Sequence, residues 1–412
     1  MRIAMVSEHA DPTAALGGAD AGGQNVHVAA LALGLAGLGH LITVYTRRTC
    51  PGQAPTVRLG PGATVRRLTA GPAAPLPKDE LLPHMAELGE RLRREWRRCP
   101  PDVVHAHYWM SGLAALQGAA GMGVPVAQTF HALGTVKARY QGAKDTSPAG
   151  RIDAERRIGL QCDQVIATCA DEVAELQAMG IPRDQASIVP CGVDTAVFTP
   201  TDPCSRARPG RPRLLMLGRM VERKGIEDAI AALARLPRAE LVVAGGPGRA
   251  ELHADPEYQR LRAAARAHQV PDRVTFTGGV ARERVPALLR SADVAVCAPW
   301  YEPFGIVPLE AMACGIPVVA TAVGGLTDTV VPGRTGLLVP PRDPAALADA
   351  VASLLAEPIL RAAFGRAGRR RALHWYDWAR VAAQTETVYL RLTGGARPGR
   401  PAAGRAAAGV TP

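Results

Sequence analysis

Two glutamates, Glu302 and Glu310, are separated by seven residues in the stretch EPFGIVPLEAMACG. The stretch follows the strand-like run ADVAVCAPW, and its own pattern predicts a loop that turns into a helix. In the loop, Glu302 could accept hydrogen bonds from a polyhydroxyl ligand, beside the backbone N–H groups of Phe304, Gly305 and Ile306 in the first helical turn. Glu310 comes two turns later and would face another part of the same ligand. Two unrelated charges at a helix start are the alternative.

A second group of candidate residues suits an anion. In LGRMVERKG, Arg219 and Lys224 follow the strand-like run RLLML, so both should lie at the carboxyl end of that strand. A pyrophosphate needs two or three positive donors, and an arginine can bind it with two hydrogen bonds. In GGADAGGQNV, Gly23 stands where a glycine-rich loop enters a helical pattern, and a helix N-terminus offers N–H groups to a phosphate. Solvated charges and a flexible loop are the alternatives.

Three histidines are further candidates. His105 and His107 alternate along the strand pattern VVHAHYW, so both side chains should point to one face of a sheet. Such a pair could bind a metal ion, but no third ligand is evident nearby in the sequence. We therefore favour hydrogen bonding at the end of the sheet. His131 ends the strand pattern VPVAQTFH, where it could bind a substrate hydroxyl or be purely structural.

The elements that position these residues alternate between strand and helix patterns along the whole chain. The chain has 412 residues, 47% of them hydrophobic, which is typical of a globular protein with two domains. The predicted fold class is α/β, with two Rossmann-like domains facing a central cleft and a C-terminal helix returning to the first domain. Ligands of such sheets bind beyond the carboxyl ends of the strands, which places the active site in the cleft. The domain bounds we expect are 1–200 and 201–375, followed by a helix over 376–394 and a disordered tail over 395–412.

Charge and composition limit the classes of binding partner that the protein is expected to have. The formal net charge is +11, which suits an anionic small molecule or an anionic lipid surface. Aromatic residues make up only 4% and no nucleic-acid motif is present, so nucleic acid is not expected. The basic segment RLRREWRRCP spreads its arginines around a helix and holds few apolar residues, which favours a solvated surface over a membrane contact.

The cysteine pattern indicates the compartment. The eight cysteines show no CxxC spacing, and they are expected to be reduced, buried thiols of a cytoplasmic protein. The first residues, MRIAMVSEHA, turn polar at Ser7 and Glu8, so they predict a first strand rather than a secretory signal.

As a set, these motifs resemble a known family. The two glutamates with their spacing, the GRxxxxKG pattern and GGQNV near the start are similar to the retaining glycosyltransferases of family 4 (group 1), which have the GT-B fold. The resemblance covers nearly the whole chain, roughly from Arg2 to Leu392. It implies an acceptor-side first domain and a second domain that binds a nucleotide-diphospho-sugar. It also implies front-face transfer with no cofactor and no obligatory metal ion.

The resemblance also implies roles for individual residues. Glu302 would hold the donor sugar hydroxyls, beside the backbone of Phe304, Gly305 and Ile306, and Glu310 would bind the nucleotide ribose. The diphosphate would be neutralised by Arg219 and Lys224, helped by Gly23. His131 would contact the transferred sugar, and Val280 and Ala281 would border the base.

The residues expected to bind the acceptor match the related enzymes less completely. The stretches DAGGQNVHV, HAHYWMSG and FHALGTVKA are similar to the family members that glycosylate inositol phosphate, to sucrose synthase and to sucrose-phosphate synthase. Lys78, Tyr108 and Arg151 match positions that hold the acceptor phosphate in the inositol-phosphate enzymes. Ala132 stands where those enzymes carry a hydroxyl residue. The expected acceptor is a small polar molecule, with or without a phosphate group, that offers a hydroxyl group.

Other functions on the same architecture stay open from the residues alone. A nucleotide-sugar epimerase or a phosphorylase would share the fold, although no motif for a pyridoxal phosphate lysine is present. A transferase acting on a lipid-linked glycan and a binding protein with an inactive cleft are further alternatives. The sequence leaves the donor base, the sugar and the oligomeric state undetermined.

Overall fold

The first of two sheets is built from the N-terminal half of the chain. The protein is described by a computed structural model that covers residues 1–14, 22–200 and 210–394. The strands of this sheet are β1 (Arg2–Val6), β2 (Leu41–Arg47), β3 (Thr56–Gly60), β4 (Ala63–Leu68), β5 (Val103–His107), β6 (Val126–Thr129), β7 (Gln164–Ala167) and β8 (Ala186–Ile188). Their order is β3-β4-β2-β1-β5-β6-β7-β8, and only the edge strand β3 runs antiparallel to its neighbour.

Helices cover both faces of this sheet. They are α1 (Gly23–Gly37), α2 (Met85–Arg98), α3 (Trp109–Ala119), α4 (Gly134–Gln141), α5 (Arg151–Gln161) and α6 (Ala170–Ala178). Successive residues of β1 enter different cores because strand side chains alternate between faces. Ala4 and Val6 join the core that contains α2 and α3, whereas Ile3 and Met5 join the core that contains α1.

The second sheet is parallel throughout. Its strands are β9 (Arg213–Leu217), β10 (Glu240–Ala244), β11 (Val274–Gly278), β12 (Val294–Cys297), β13 (Val318–Thr321) and β14 (Gly336–Val339). Their order, β11-β10-β9-β12-β13-β14, is that of a doubly wound Rossmann sheet. The surrounding helices are α7 (Ile226–Ala234), α8 (Pro256–Ala267), α9 (Val285–Arg290), α10 (Ile306–Ala313), α11 (Leu326–Thr329), α12 (Pro344–Ala356) and α13 (Pro358–Trp375). The expected pair of Rossmann-like domains is confirmed.

The last helix, α14 (Trp378–Gly394), packs against α1 of the first domain. The two helices approach so closely that a Cβ added to Gly34 would lie 2.9 Å from the Cβ of Ala382. The carbonyl of Tyr376, just before α14, accepts a hydrogen bond of 2.7 Å from the backbone N–H of Val193. The C-terminal chain therefore pairs with residue 193 where it crosses back, and it packs on the first domain along α14.

The basic helix α2 is more apolar on one side than the sequence suggested. Leu88, Leu92 and Trp96 are buried in the core of the first domain. On its outer side, Arg91 and Arg94 form ion pairs with glutamates one helical turn earlier. This pairing reduces the positive charge that the helix would offer to an anionic surface. Within the described ranges, no helix is long and apolar enough to cross a membrane.

The cysteine expectation needs a correction. Seven cysteines lie in the described residues, and five of them are buried. Cys50 and Cys99 are exposed, so the prediction of buried thiols is wrong for these two. Both lie outside the regular elements, in the turn after β2 and at the end of α2, where local apolar character does not guarantee burial. Residues 201–209, at the expected boundary between the domains, and the whole expected tail over 395–412 lie outside the described residues.

The contact between α14 and β5 generates a stability prediction. The hydroxyl of Tyr389 lies 2.7 Å from Nδ1 of His105, and both side chains are buried. Tyr389→Phe should lower the free energy of unfolding by about 1–3 kcal/mol, because it leaves a buried ring nitrogen without its partner. Thr387→Ala, on the exposed side of the same helix, should change it by less than about 0.5 kcal/mol. Urea unfolding of both variants checks the prediction, and equal effects would contradict it.

Candidate active site

A cavity of about 410 Å³ lies between the carboxyl ends of the two sheets. In each sheet it sits at the point where the strand order reverses, between β1 and β5 and between β9 and β12. Loops diverge at such points and leave a crevice for a ligand. The sequence-predicted site residues that line this cavity are Gly23, Lys78, Tyr108, His131, Arg219, Lys224, Glu302, Phe304, Gly305 and Ile306. Those that do not line it are Arg151, Val280, Ala281 and Glu310.

The carboxylate of Glu302 lies at the centre of the charged side of the cavity. It accepts a hydrogen bond from Nζ of Lys224, and Nη1 of Arg223 lies 3.9 Å from the same oxygen. Burial alone would raise the pKa of Glu302, but the Lys224 ammonium and the Arg223 and Arg219 guanidinium groups together bring the pKa below its ordinary value. Glu302 is therefore an ionised acceptor of hydrogen bonds at neutral pH.

The loop that carries Glu302 is fixed by the glycines at the end of the same motif. The backbone N–H of Gly325 donates to the carbonyl of Glu302 at 3.1 Å. Gly324 has a φ of 48°, and a Cβ added there would lie 2.1 Å from that carbonyl oxygen. Only glycine permits this approach, so the run ending in VGG supports the loop before α10.

The N-termini of two helices lie close together in the wall of the cavity. A Cβ added to Gly23, the first residue of α1, would lie 3.4 Å from Cδ1 of Ile306, the first residue of α10. The first-turn N–H groups of a helix have no intrahelical acceptors and carry partial positive charge. Arg219, Arg223 and Lys224 line the same cavity, so the arrangement can bind an anion from several sides.

Four histidines form a cluster next to the cavity, and one of them, His131, lines it. His131 Nε2 lies 3.0 Å from Nδ1 of His107, whose ring centroid is 4.1 Å from that of His105. The ring of His27 contacts His131 edge-on, with centroids 5.0 Å apart. Burial lowers the pKa of His27 to about 4 and of His105 to about 3, and it holds the pKa of His107 and His131 well below the usual value. His131 is therefore a neutral hydrogen-bonding group at pH 7, not a cation.

The metal alternative for the histidine pair can be compared with these contacts. Both ring nitrogens of His105 have protein partners, the hydroxyl groups of Tyr389 and Thr129, at 2.7 and 2.9 Å. Nε2 of His107 is buried without a hydrogen-bond partner. In the part of the chain that the structure describes, no group of three or more side chains is arranged to hold a metal ion. His105 is therefore hydrogen-bonded to the protein through both ring nitrogens at the end of the sheet.

Backbone strain marks two of the candidate residues. Tyr108 has a φ of 82° and His131 a φ of 61°, a region that non-glycine residues rarely adopt. Each residue follows directly or nearly directly on a strand of the first sheet, β5 or β6. Such strain occurs mainly where a side chain is held for function. Both side chains line the cavity.

Lys78, Tyr108 and Arg151 are brought together. Nζ of Lys78 lies 6.0 Å from the centroid of the Tyr108 ring, and the Arg151 guanidinium lies 5.3 Å from it. Burial raises the pKa of Tyr108 to about 12, and its hydroxyl is buried without a hydrogen-bond partner. Arg151 is itself buried beneath this ring. It donates to Glu155, Ser147 and the carbonyl of Ala132 at 2.7, 3.1 and 2.7 Å.

Glu310 belongs to a separate group beside the cavity. Its carboxylate is buried and forms an ion pair of 2.5 Å with Arg282. Burial raises the pKa of Glu310, and the Arg282 guanidinium opposes this shift. Val280 and Ala281 directly precede Arg282, so three of the predicted donor residues are grouped around this ion pair.

The sequence interpretation missed Arg223 and an aromatic contact across the cleft. Nη1 of Arg223 is buried without a hydrogen-bond partner, and the guanidinium lies 5.1 Å from the Tyr301 ring centroid. Tyr301 stacks on Tyr140 of the first domain at 5.3 Å, and its hydroxyl accepts from Gln141 at 2.6 Å. Arg223 could have been found inside GRxxxxKG. The contact between Tyr140 and Tyr301 joins residues too distant in sequence for any pattern to show it.

Comparison with known proteins agrees with this geometry. The description "Glycosyltransferase Family 4" matches residues 21–197, and "Glycosyl transferases group 1" matches residues 201–371. The D-inositol 3-phosphate glycosyltransferase of Acidothermus cellulolyticus is 38% identical over 91% of this chain and 87% of its own length. That of Pseudarthrobacter chlorophenolicus is 37% identical over 94% of each chain.

A solved structure is also similar over nearly the whole chain. The sucrose-phosphate synthase of Thermosynechococcus elongatus has a TM-score of 0.87 and 33% identity, over 96% of this chain and 99% of its own. Two facing Rossmann-like domains with a cleft between them define an enzyme of the GT-B fold. The chain belongs to the group 1, family 4 glycosyltransferases. It is a glycosyltransferase that takes its sugar from a nucleotide donor.

The ion pair at Glu302 predicts a pH-dependent stability effect. The pKa of Glu302 is below its unfolded value, so its stabilising contribution is present above about pH 4.5 and is lost as pH falls through the lower folded pKa. In Lys224→Met the main opposing charge is absent, so burial should raise this pKa. The variant should be less stable by about 1–3 kcal/mol at pH 7, because the pair is only partly exposed, and by less near pH 4.5.

The pH dependence is measured by denaturant unfolding at several pH values. The double variant Lys224→Met with Glu302→Gln is the matched control, since it has no carboxylate to titrate. Its stability difference from the parent should vary little between pH 4.5 and pH 7. A Lys224→Met effect that grows as pH falls would contradict the assignment.

Proposed function

We propose that the protein is a retaining hexosyltransferase, active in the cytoplasm, that moves a hexose from a UDP-, GDP- or ADP-sugar to a hydroxyl of a small phosphorylated acceptor. The observation that carries the proposal is the ionised Glu302, held by Lys224 and Arg223 at the edge where both sheets meet the cavity. A fixed carboxylate accepts hydrogen bonds from sugar hydroxyls, and the cations beside it match a diphosphate.

The main electrostatic requirement of the reaction is to stabilise the negative charge on the leaving group. As the bond between the sugar and the diphosphate breaks, negative charge grows on the phosphate oxygens. Arg219, Lys224 and Arg223 line the cavity, with the N-termini of α1 and α10 beside them. Donors already fixed where charge develops stabilise the transition state more than mobile water does. In this proposal the cations take the place of a divalent metal ion.

The stereochemical proposal rests on which acidic groups face the cavity. Among the described residues that line it, Glu302 is the sole carboxylate, and it is already ion-paired. A double displacement of the hydrolase kind needs a carboxylate nucleophile and a second acid about 5 Å away. We therefore propose that the acceptor attacks on the face from which the diphosphate leaves, and that a phosphate oxygen takes the acceptor's proton. The neutral imidazole of His131 would hydrogen-bond the transferred sugar.

The nucleoside would extend towards the group around Glu310. In the proposal, Glu310 binds the ribose hydroxyls, and Val280 and Ala281 border the base. Arg282 holds the Glu310 carboxylate at 2.5 Å, so a ribose hydroxyl would share or replace this contact. A buried carboxylate is stabilised by such hydrogen bonds, which suits a nucleoside that contributes two hydroxyl groups.

The acceptor would lie on the side of the first domain. Lys78 and the strained Tyr108 line the cavity there, and Tyr108 has an unsatisfied hydroxyl. Arg151 would act from beneath Tyr108, because its guanidinium is committed to Glu155, Ser147 and the Ala132 carbonyl. Relatives named D-inositol 3-phosphate glycosyltransferase, 35–38% identical, favour a phosphorylated polyol as the acceptor class. Ala132 offers no hydroxyl, so Lys78 would carry most of the phosphate contact.

A donor and acceptor screen tests the transfer itself. Purified protein is incubated with each nucleotide-sugar, with and without inositol phosphates and sugar phosphates, and nucleotide release is measured. Release should depend on one acceptor class, and proton NMR of the product should show the donor's anomeric configuration. An inverted product, or rapid release of epimerised sugar without any acceptor, would contradict the proposal.

The acceptor assignment has its own test. Lys78→Ala should raise the KM for the phosphorylated acceptor about tenfold or more, because one charged hydrogen bond is lost. The KM for the nucleotide-sugar should stay nearly unchanged. Arg97→Ala, which removes an exposed cation of α2 outside the cavity, is the matched control. Equal acceptor KM values in Lys78→Ala and in the parent would exclude Lys78 from an acceptor phosphate site.

A further inference from the structure

A second concave site lies on the second domain, apart from the cleft. It is a cavity of about 250 Å³ between the C-terminal half of α13 and the turn at residues 331–335, and we call it the basic pocket. None of the residues that line it also lines the cavity between the domains. No part of the proposed transfer reaction uses it.

The lining of the basic pocket is strongly cationic. Arg370, Arg371 and His374 lie on one face of α13, and Arg334 comes from the opposing turn. Among the described residues that line the pocket, none is acidic. These four side chains also form no ion pair with any described carboxylate. The guanidinium groups of the three arginines repel one another, so a concave cluster without carboxylates is an arrangement that an anion would stabilise.

The helix alone does not account for this cluster. Cations in the last turns of a helix interact favourably with its dipole, which explains the placement of the residues on α13. That effect does not explain why Arg334, from a separate turn, faces the same cavity. Arg371 is also fixed in place, since Nε and Nη2 donate to the carbonyls of Thr329 and Asp328 at 3.0 and 2.6 Å. A guanidinium held in this way loses little conformational freedom when it binds a ligand.

Size and shape indicate the class of ligand. A cavity of about 250 Å³ is smaller than the sites that take drug-sized molecules, so the ligand must be small. Trp375 forms one wall and is 50% exposed, which offers an aromatic face to the C–H groups of a ring. Three arginines line the pocket, and they match the nearly double negative charge of a phosphate monoester better than the single charge of a carboxylate. We propose that the basic pocket is a second, non-catalytic site for a small organic phosphate of about the size of a hexose monophosphate.

Binding is tested by titrating the full-length protein with inorganic phosphate, glucose 6-phosphate and uncharged glucose. Calorimetry and tryptophan fluorescence are recorded together, because Trp375 is exposed whereas Trp96 and Trp109 are buried. The titrations are made on the double variant Lys78→Ala with Arg219→Gln, which weakens anion binding at both ends of the cleft and leaves the basic pocket intact. Glucose 6-phosphate should bind and change the fluorescence, more weakly at high salt, while glucose should not bind.

Substitutions in the basic pocket show whether the glucose 6-phosphate binding signal comes from that pocket. In the same double-variant background, Arg334→Gln and Arg370→Gln should each weaken glucose 6-phosphate binding about tenfold. Arg366→Gln, an exposed position on α13 that does not line the pocket, should leave the affinity within about twofold. Unfolding temperatures of all variants are measured to show that each remains folded.

Three results would overturn the proposal. The first is no binding of either phosphate to the double variant Lys78→Ala with Arg219→Gln at millimolar concentration. The second is an equal loss of affinity in Arg366→Gln and in the pocket variants, which would indicate nonspecific charge. The third is binding to vesicles containing an anionic phospholipid with no response to glucose 6-phosphate, which would make the pocket a lipid headgroup site.

Discussion

The contact between Glu302 and Lys224 is the interaction on which the rest of the cleft depends. It joins the loops that follow β12 and β9, the two neighbouring strands from which the chain diverges in the second sheet. An unpaired carboxylate at this depth would be protonated or would draw in water, and the loop would lose its fixed geometry. With its cation in place, Glu302 stays charged, and its remaining lone pairs can accept hydrogen bonds from a sugar.

The same contact is connected through Arg223 to the interface between the two domains. Arg223 lies between Glu302 and Tyr301, and Tyr301 stacks on Tyr140 of the first domain. A second pair, between Lys144 and Glu222, bridges the domains near the same turn at 2.6 Å. The cation cluster is therefore held partly by the first domain. A ligand that moved Arg223 would therefore disturb contacts at the interface between the domains, and opening of the interface would loosen the cation cluster.

The sequence was sufficient for the fold because its signals were local. Alternating strand and helix patterns predicted both Rossmann-like sheets, and the positions of Arg219, Lys224 and Glu302 just after strands predicted their meeting in the cleft. The strain at Tyr108 and His131 could not be predicted, since positive φ in a non-glycine residue is imposed by distant packing. The same holds for Arg151, whose three hydrogen bonds hold it beneath Tyr108 and not at the cavity surface.

The central claim is that Glu302, fixed by Lys224, recognises the sugar of the donor and not its nucleotide. Calorimetry of Glu302→Gln with a nucleotide-sugar and with the matching nucleoside diphosphate tests this directly. The account predicts that affinity for the nucleotide-sugar falls about tenfold or more, while affinity for the diphosphate is unchanged or slightly tighter because Lys224 is released. Equal losses for the two ligands, or none for either, would contradict it.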